Sequence, residues 1–575
     1  MATAHGGPLR LVVSPEFSGE NVQPASLRYR TAAGEAFSIC RLSYLISDVA
    51  FQLADGTWRE FPNSAAWLDL EGNRDSLRLE DVPDGIYRAI RFDVGLAANL
   101  NHSPVGAFPP GHPLNPNENG LHWSWQGGFV FLAMEGLWRN AAGQLDGWVY
   151  HLAGDANRAR IVIDSTFVIS NTARLDLDFD AGAFFRGPNS LAFQRDGSST
   201  HSREGDRVAA SILAALPHAF HLRSIARTPD PETAARKSSP LYLPRNYVPF
   251  HFRMAASFPI PKLPGDNPLT LDRVTLGEKL FHETALSRDR TISCASCHQE
   301  DAGLSDARRF SVGVGGQQGR RRAMPLFNLA WKNSYFWDGR APSLRAQALA
   351  PIEDQAEMNE PLTNATARLA AREEYRSMFL AAFGSSEVTS EKIGLALEAY
   401  LLTLTSFDSK FDRVLRGAEK FTGQEQRGFQ LFATENDPRS GQFGADCFHC
   451  HGGALFRSQS FANNGLDSEF SDLGRAAVTG KESDKGKFAV PSLRNVAERA
   501  PFMHDGRFKT LEETVQHYCT GIKRSPTLDP NLARHPDGGL HLDAADQKAL
   551  VAFLRTLSDQ PNKGLTFNNR QAAVP

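Results

Sequence analysis

The chain has 575 residues, a length that suits three or four domains, each able to bury its own core. Lysine and arginine number 62 against 65 aspartate and glutamate, a net charge of −3, so there is no basic excess for a nucleic acid to meet. Hydrophobic residues make up 41% of the chain, enough for packed cores, yet no run approaches the roughly 18 unbroken apolar residues of a transmembrane helix.

Residues 1–225 carry strand patterning. Strict alternation runs through Leu175, Asp176, Leu177, Asp178, Phe179 and Asp180, and again through Ile90, Arg91, Phe92, Asp93 and Val94, each run turning one apolar face inward. Pro83, Asp84 and Gly85 supply turn chemistry just before the second run. The pattern predicts an all-β sandwich with antiparallel strands and one short helix near Val208 to Leu216. Trp123 and Trp125, two apart on an expected strand, should share a face. Residues 226–265 hold Pro229, Pro231, Pro240, Pro244, Pro249, Pro259, Pro261 and Pro264, so this stretch reads as a linker or a strap over the following domain.

After 265 the period becomes helical. Leu397, Tyr400, Leu401 and Leu404, and later Leu550, Phe553, Leu554 and Leu557, follow the stripe of a helix packed on one side. The cysteines occur at 40, 294, 297, 447, 450 and 519, and each helical stripe lies downstream of one cysteine pair. Cys294 to His298 reads CASCH and Cys447 to His451 reads CFHCH. Composition allows roughly 0.002 chance occurrences of C-x-x-C-H, the c-type haem attachment pattern. Each thiol pair forms thioethers to haem vinyl groups while the adjacent His298 or His451 reaches the iron. A zinc site or redox dithiol is the alternative, but tetrahedral zinc from the two pairs would leave both histidines without a role. Two helical haem lobes are expected, at 266–420 and 421–575, and Cys40 and Cys519, outside any motif, read as buried thiols. Haem c is attached outside the bacterial cytoplasm, so a periplasmic location is expected. MATAHGGPLRLVV has no basic start and long apolar core, so a leader removed from a precursor is expected too.

The stretches LGEKLFHETALSRDRTISCASCH, FWDGRAPSLRAQALAPIEDQAEM and VPSLRNVAERAPFMHDGRFKTLEETVQHY resemble the bacterial dihaem cytochrome c peroxidase and MauG family over about 266–560. The resemblance implies two covalent haems, the first with His298 as proximal ligand and an open face for hydrogen peroxide. It places Gln347, Pro351 and Glu357 on that face, with Glu357 as proton shuttle, and Trp337 between the haems as an electron carrier. The second haem would be held by Cys447, Cys450 and His451, with Tyr518 as its sixth ligand. Peroxidases served by small cytochromes have methionine there and MauG-like enzymes tyrosine, so Tyr518 implies storage of oxidising equivalents. The family also binds calcium through an asparagine side chain and two backbone carbonyls, here those of Arg499 and Pro501. The asparagine position holds Arg322, a departure from the pattern.

The segments NLNHSPVG, LHWSWQGGFVFLAMEG and WVYHLAG resemble the MbnP family, copper-binding periplasmic proteins encoded beside the dihaem enzyme MbnH, over about 8–222. The resemblance implies a tryptophan oxidised to kynurenine, either Trp123 or Trp125, and copper held by His102 and His151 with His201 as a weaker third; imidazole suits copper. The combined expectation is a natural fusion that uses peroxide to oxidise its own tryptophan, in cis or within a dimer, beside a copper site. The rivals are a plain dihaem peroxidase with an accessory β-domain, and a copper storage or delivery protein with a haem redox sensor.

Overall fold

The computed structural model describes residues 6–123, 127–169, 173–187, 190–226, 241–437 and 441–559. Trp125, Pro229, Pro231 and Pro240 fall outside them. Two units divide the chain: one spans residues 1–236 together with 528–536, and the other spans 237–527 together with 537–575.

The first unit is rich in β-sheet. Among the described residues, a smaller sheet joins Phe220–Ala226, Ala173–Asp180, Gly6–Phe17 and Glu20–Asn21, with Ser76–Pro83 on Gly6–Phe17. A larger sheet runs Ala159–Ile169, Gly85–Val94, Arg41–Leu53, Gly128–Arg139, Leu145–Ala153 and Ser199–Thr200. The alternating leucines Leu175 and Leu177, with Phe179, join Ile90, Phe92 and Val94 from the larger sheet in one core. The expected helix is Arg207–Ala215, started by the Asp206 carboxylate, which accepts from the amides of Val208 and Ala209.

Pairing is not antiparallel throughout: Gly6–Phe17 runs parallel to Ala173–Asp180, and Leu145–Ala153 parallel to Ser199–Thr200. Parallel neighbours need long connections, and both pairs are far enough apart in sequence to have them. The segment at 528–536 adds a short helix, Pro530–Ala533, that packs on Leu145–Ala153. Gly147 permits this approach, because a Cβ there would stand 1.8 Å from the Pro530 carbonyl oxygen. Cys40 is only half-buried, with its sulfur 3.6 Å from Ser38 Oγ, whereas Cys519 is buried as expected.

The second unit is mainly helical. The leucine-striped helix is Ser390–Thr403, capped by Thr389, but it is buried on nearly every side rather than one, since Leu271–Phe281 and Leu344–Glu353 both pack on it. Its polar members are neutralised in place: Glu398 takes Arg345 and the Asn267 amide. Residues 241–264 form no helix or strand and lie as a strap on this unit, with Phe258 buried and the Pro259 carbonyl accepting from Trp331 Nε1 at 2.7 Å. No helix of the described residues is long and apolar enough to cross a membrane.

The helix Lys410–Leu415 is anchored to the chain around Arg494 by a buried bidentate ion pair, Asp412 with Arg494 at 2.7 and 2.8 Å. Burial alone would raise the Asp412 carboxyl, but Arg494 and the Ser409 bonds outweigh it and hold the group below its ordinary value. Asp412→Ala strands the Arg494 charge and should cost about 3–5 kcal/mol in chemical denaturation. The pair's contribution should be complete above the unfolded carboxylate pKa of about 4 and fall away as acid lowers the pH through the depressed folded value.

Candidate functional site

The first haem motif opens on Ser293, which makes reciprocal capping bonds with Ser296 and so folds Cys294–Ser296 into a tight turn. His298 then donates Nδ1–H to the Leu304 carbonyl at 3.0 Å, so Nε2 is the ring atom that could ligate a metal. Burial keeps the ring neutral by lowering its pKa. The second motif repeats this arrangement: His451 donates Nδ1–H to the Phe456 carbonyl at 3.3 Å, and burial lowers its pKa to about 4.

Cys294, Cys297 and His298 line one side of a cavity of about 910 Å³. That is the upper end of the usual size for ligand sites, about 300–1,000 Å³, and suits a large planar macrocycle. Gln347, Pro351 and Glu357 line the same cavity, as does Trp337. Gln347 and Pro351 lie one turn apart on Leu344–Glu353; proline has no N–H to offer the Gln347 carbonyl. The chain then turns back, with the Glu357 amide bonded to the Asp354 carbonyl and the Glu357 carbonyl accepting from Val314 at 2.8 Å. Gly313 makes this approach possible, since a Cβ there would meet the Ala356 carbonyl oxygen at 2.2 Å. Burial, and then Asp354, push the Glu357 carboxyl up to about 7.

Trp337 is buried, donates Nε1–H to the Arg322 carbonyl at 2.8 Å, and accepts the Ala489 amide at its own carbonyl. Tyr518 sits in a π-helical turn, His517–Gly521, where its hydroxyl accepts from Asn464 Nδ2 at 3.2 Å.

In the β-rich unit, Trp123 ends the short strand His122–Trp123. Its ring stacks on His201 at 5.5 Å and lies 5.9 Å from His151, and the two imidazoles are 5.0 Å apart. The parallel pairing of Ser199–Thr200 with Leu145–Ala153 delivers His201 to this place, and Ser202 Oγ bonds the His151 carbonyl. His151 Nε2 meets Glu135 at 3.0 Å, while Arg41 pairs with the same carboxylate and Asn531 approaches its other oxygen. Burial would raise the Glu135 carboxyl, but Arg41 and His151 hold it strongly depressed and ionised. His102 is placed differently. Its Nδ1 donates to the Gly127 carbonyl at 2.7 Å and its Nε2 bonds Asp155 at 2.9 Å, and chiefly that Asp155 bond raises its pKa.

Residues 271–420 match the family model for di-haem cytochrome c peroxidase, and residues 6–202 match that for MbnP. The methylamine utilization protein MauG of Methylorubrum extorquens is 37% identical over 314 residues, 54% of this chain and 84% of that protein. The chain belongs to the dihaem cytochrome c peroxidase family, with an MbnP domain before it. The cytochrome c551 peroxidase of Nitrosomonas europaea is 33% identical over 54% of this chain and 87% of its own length. The crystal structure of a MauG-like protein associated with microbial copper homeostasis is 31% identical, covers 56% of this chain and 99% of its own, and superposes with a TM-score of 0.49.

Within the dihaem half, motif reasoning did not reach Asn464 or the contacts of Arg322. In the MbnP domain it did not reach Glu135, Arg41 or Asn531. Glu135 left a readable signal, a lone charge within the apolar strand GFVFLAMEGLWR.

Cys447→Ala combined with Cys450→Ala should halve the haem retained by the denatured chain, since each motif attaches its own group. Acid-acetone extraction of the wild type should release no haem; release of all of it would contradict covalent attachment at both motifs.

Proposed function

We propose that this chain is a self-modifying dihaem enzyme of the periplasm that uses hydrogen peroxide to convert Trp123 of its own MbnP domain to kynurenine, beside a copper site. The observation that carries the reading is the packing of Trp123 against His151 and His201. An oxidisable indole in contact with two imidazoles joins the modification and the metal site in one place. When bound, the two haems supply the oxidising power of peroxide.

The chain's own residues do the rest. Glu357 takes the proton of a peroxide entering the cavity and returns it to the departing oxygen, a role that its pKa of about 7 suits. Gln347 and Pro351 shape the same wall, and Trp337 carries electrons from the indole being oxidised. Tyr518 would supply the second haem with an anionic oxygen ligand, chemistry that favours the more oxidised iron. At the indole, two molecules of peroxide cleave the ring double bond. Hydrolysis then removes one carbon as formate, and the side chain gains one oxygen overall.

Copper would be held by His151 and His201. Glu135 receives the Nε2–H of His151, so Nδ1 is the atom offered to the metal. His102 joins them only by leaving Asp155.

As a base, Glu357 must be ionised, so the rate of peroxide consumption should rise with pH through about 7. Glu357→Gln should load both haems, lower that rate by about 10²–10⁴ and flatten the profile. The same variant should lack kynurenine absorbance, and its appearance at the wild-type level would refute the reading. Trp123→Phe should keep both haems and peroxide consumption while weakening copper binding measured by titration.

A further inference from the structure

The calcium ion that the family resemblance implies meets a poor fit in this chain. Arg322 occupies the asparagine position, and its guanidinium takes the Arg499 carbonyl, one of the two expected calcium oxygens, together with that of Ala500 rather than Pro501. Nη2 donates to the carbonyls of Arg499 at 2.9 Å, Ala500 at 3.0 Å and Asp306 at 3.0 Å. Nη1 donates to Ser305 Oγ at 2.7 Å and to the Ala323 carbonyl at 3.4 Å. All five partners are neutral oxygens. The nearby Asp306 carboxylate turns instead to Arg308. A second buried cation, Arg499, is near enough that Arg322 disfavours its charge. Calcium takes six to eight oxygens at about 2.3–2.6 Å, with carboxylates among them. Two guanidinium groups and no carboxylate would repel it.

The bonds of Arg322 run in three directions. Its amide donates to the His504 carbonyl at 2.8 Å, its carbonyl accepts Trp337 Nε1, and its side chain holds Ser305. Ser305 follows Leu304, whose carbonyl orients the His298 ring. One residue thus connects the haem-ligating histidine of the first lobe, the indole of Trp337 and the 499–500 backbone of the second lobe.

We infer that the Arg322 guanidinium is a built-in structural cation that replaces calcium in the dihaem half and, through Ser305, positions His298, while the backbone carbonyl of the same residue holds Trp337. Burial lowers its pKa to about 10, well above neutrality, so the charge is permanent under physiological conditions. Unlike a bound ion, it is not removed by chelators. The inference holds whichever substrate the haems oxidise.

The test uses the haem-loaded full chain. Before any chelator is added, elemental analysis should find no stoichiometric calcium, and dialysis against EGTA should then change neither the EPR spectrum of the His298-ligated haem nor the Tm. One calcium per chain, or an EGTA-induced spectral change reversed by added calcium, would overturn the inference. Arg322→Gln, which removes the charge, should shift that EPR signal and lower the Tm; a wild-type spectrum and Tm in this variant would overturn it as well. If the variant does not load haem, the wild-type calcium measurement still decides between the two cations.

Discussion

In each haem-attachment motif the histidine donates its Nδ1–H to a backbone carbonyl a few residues on, and that bond constrains the ring. Leu304 supplies the carbonyl for His298 and Phe456 that for His451. Cys294, Cys297, Cys447 and Cys450 would hold the haems covalently, while these bonds set the rotation of each imidazole. The cavity lined by Cys294, Cys297 and His298 is lined by Glu357 as well. There the helix that contains Pro351 ends at Glu353 and the chain doubles back to present Glu357. Gly313 admits that loop where any side chain would collide. The high pKa of Glu357 follows from its burial in this wall, as the low pKa of His298 follows from its own.

The MbnP domain solves a different problem, the placement of a carboxylate in an apolar sheet. Glu135 is buried on the strand Gly128–Arg139, and its charge is compensated by Arg41 and His151. That arrangement orients His151, and His201 arrives on a strand paired in parallel beside it. Trp123 completes the cluster as an aromatic face against both rings.

What the sequence made legible follows from how local each signal is. C-x-x-C-H encodes its chemistry in five consecutive residues, so both haem sites could be read directly. The alternation around Phe92 and Phe179 gave the sheets, because period two survives whatever the pairing direction; it carries no information on whether Gly6–Phe17 runs parallel to its neighbour. The stripe in Ser390–Thr403 suggested one buried face, but a helix enclosed by neighbours hides its polar residues in ion pairs, as Glu398 does with Arg345. His102 has a motif that points to copper, yet its ring bonds Asp155, a residue distant in the chain. Asn531 is more than three hundred residues from the carboxylate it approaches, and no local pattern announces such a contact.

The central claim is that the chain oxidises its own indole. Tandem mass spectrometry of the peptide carrying Trp123, taken from fully haem-loaded chain before and after peroxide, tests it most directly. Peroxide should convert Trp123 to a residue with one more oxygen and one carbon fewer, and chain lacking attached haem should show no such change. Intact indoles at both Trp123 and Trp125 after the loaded chain has consumed peroxide would contradict it.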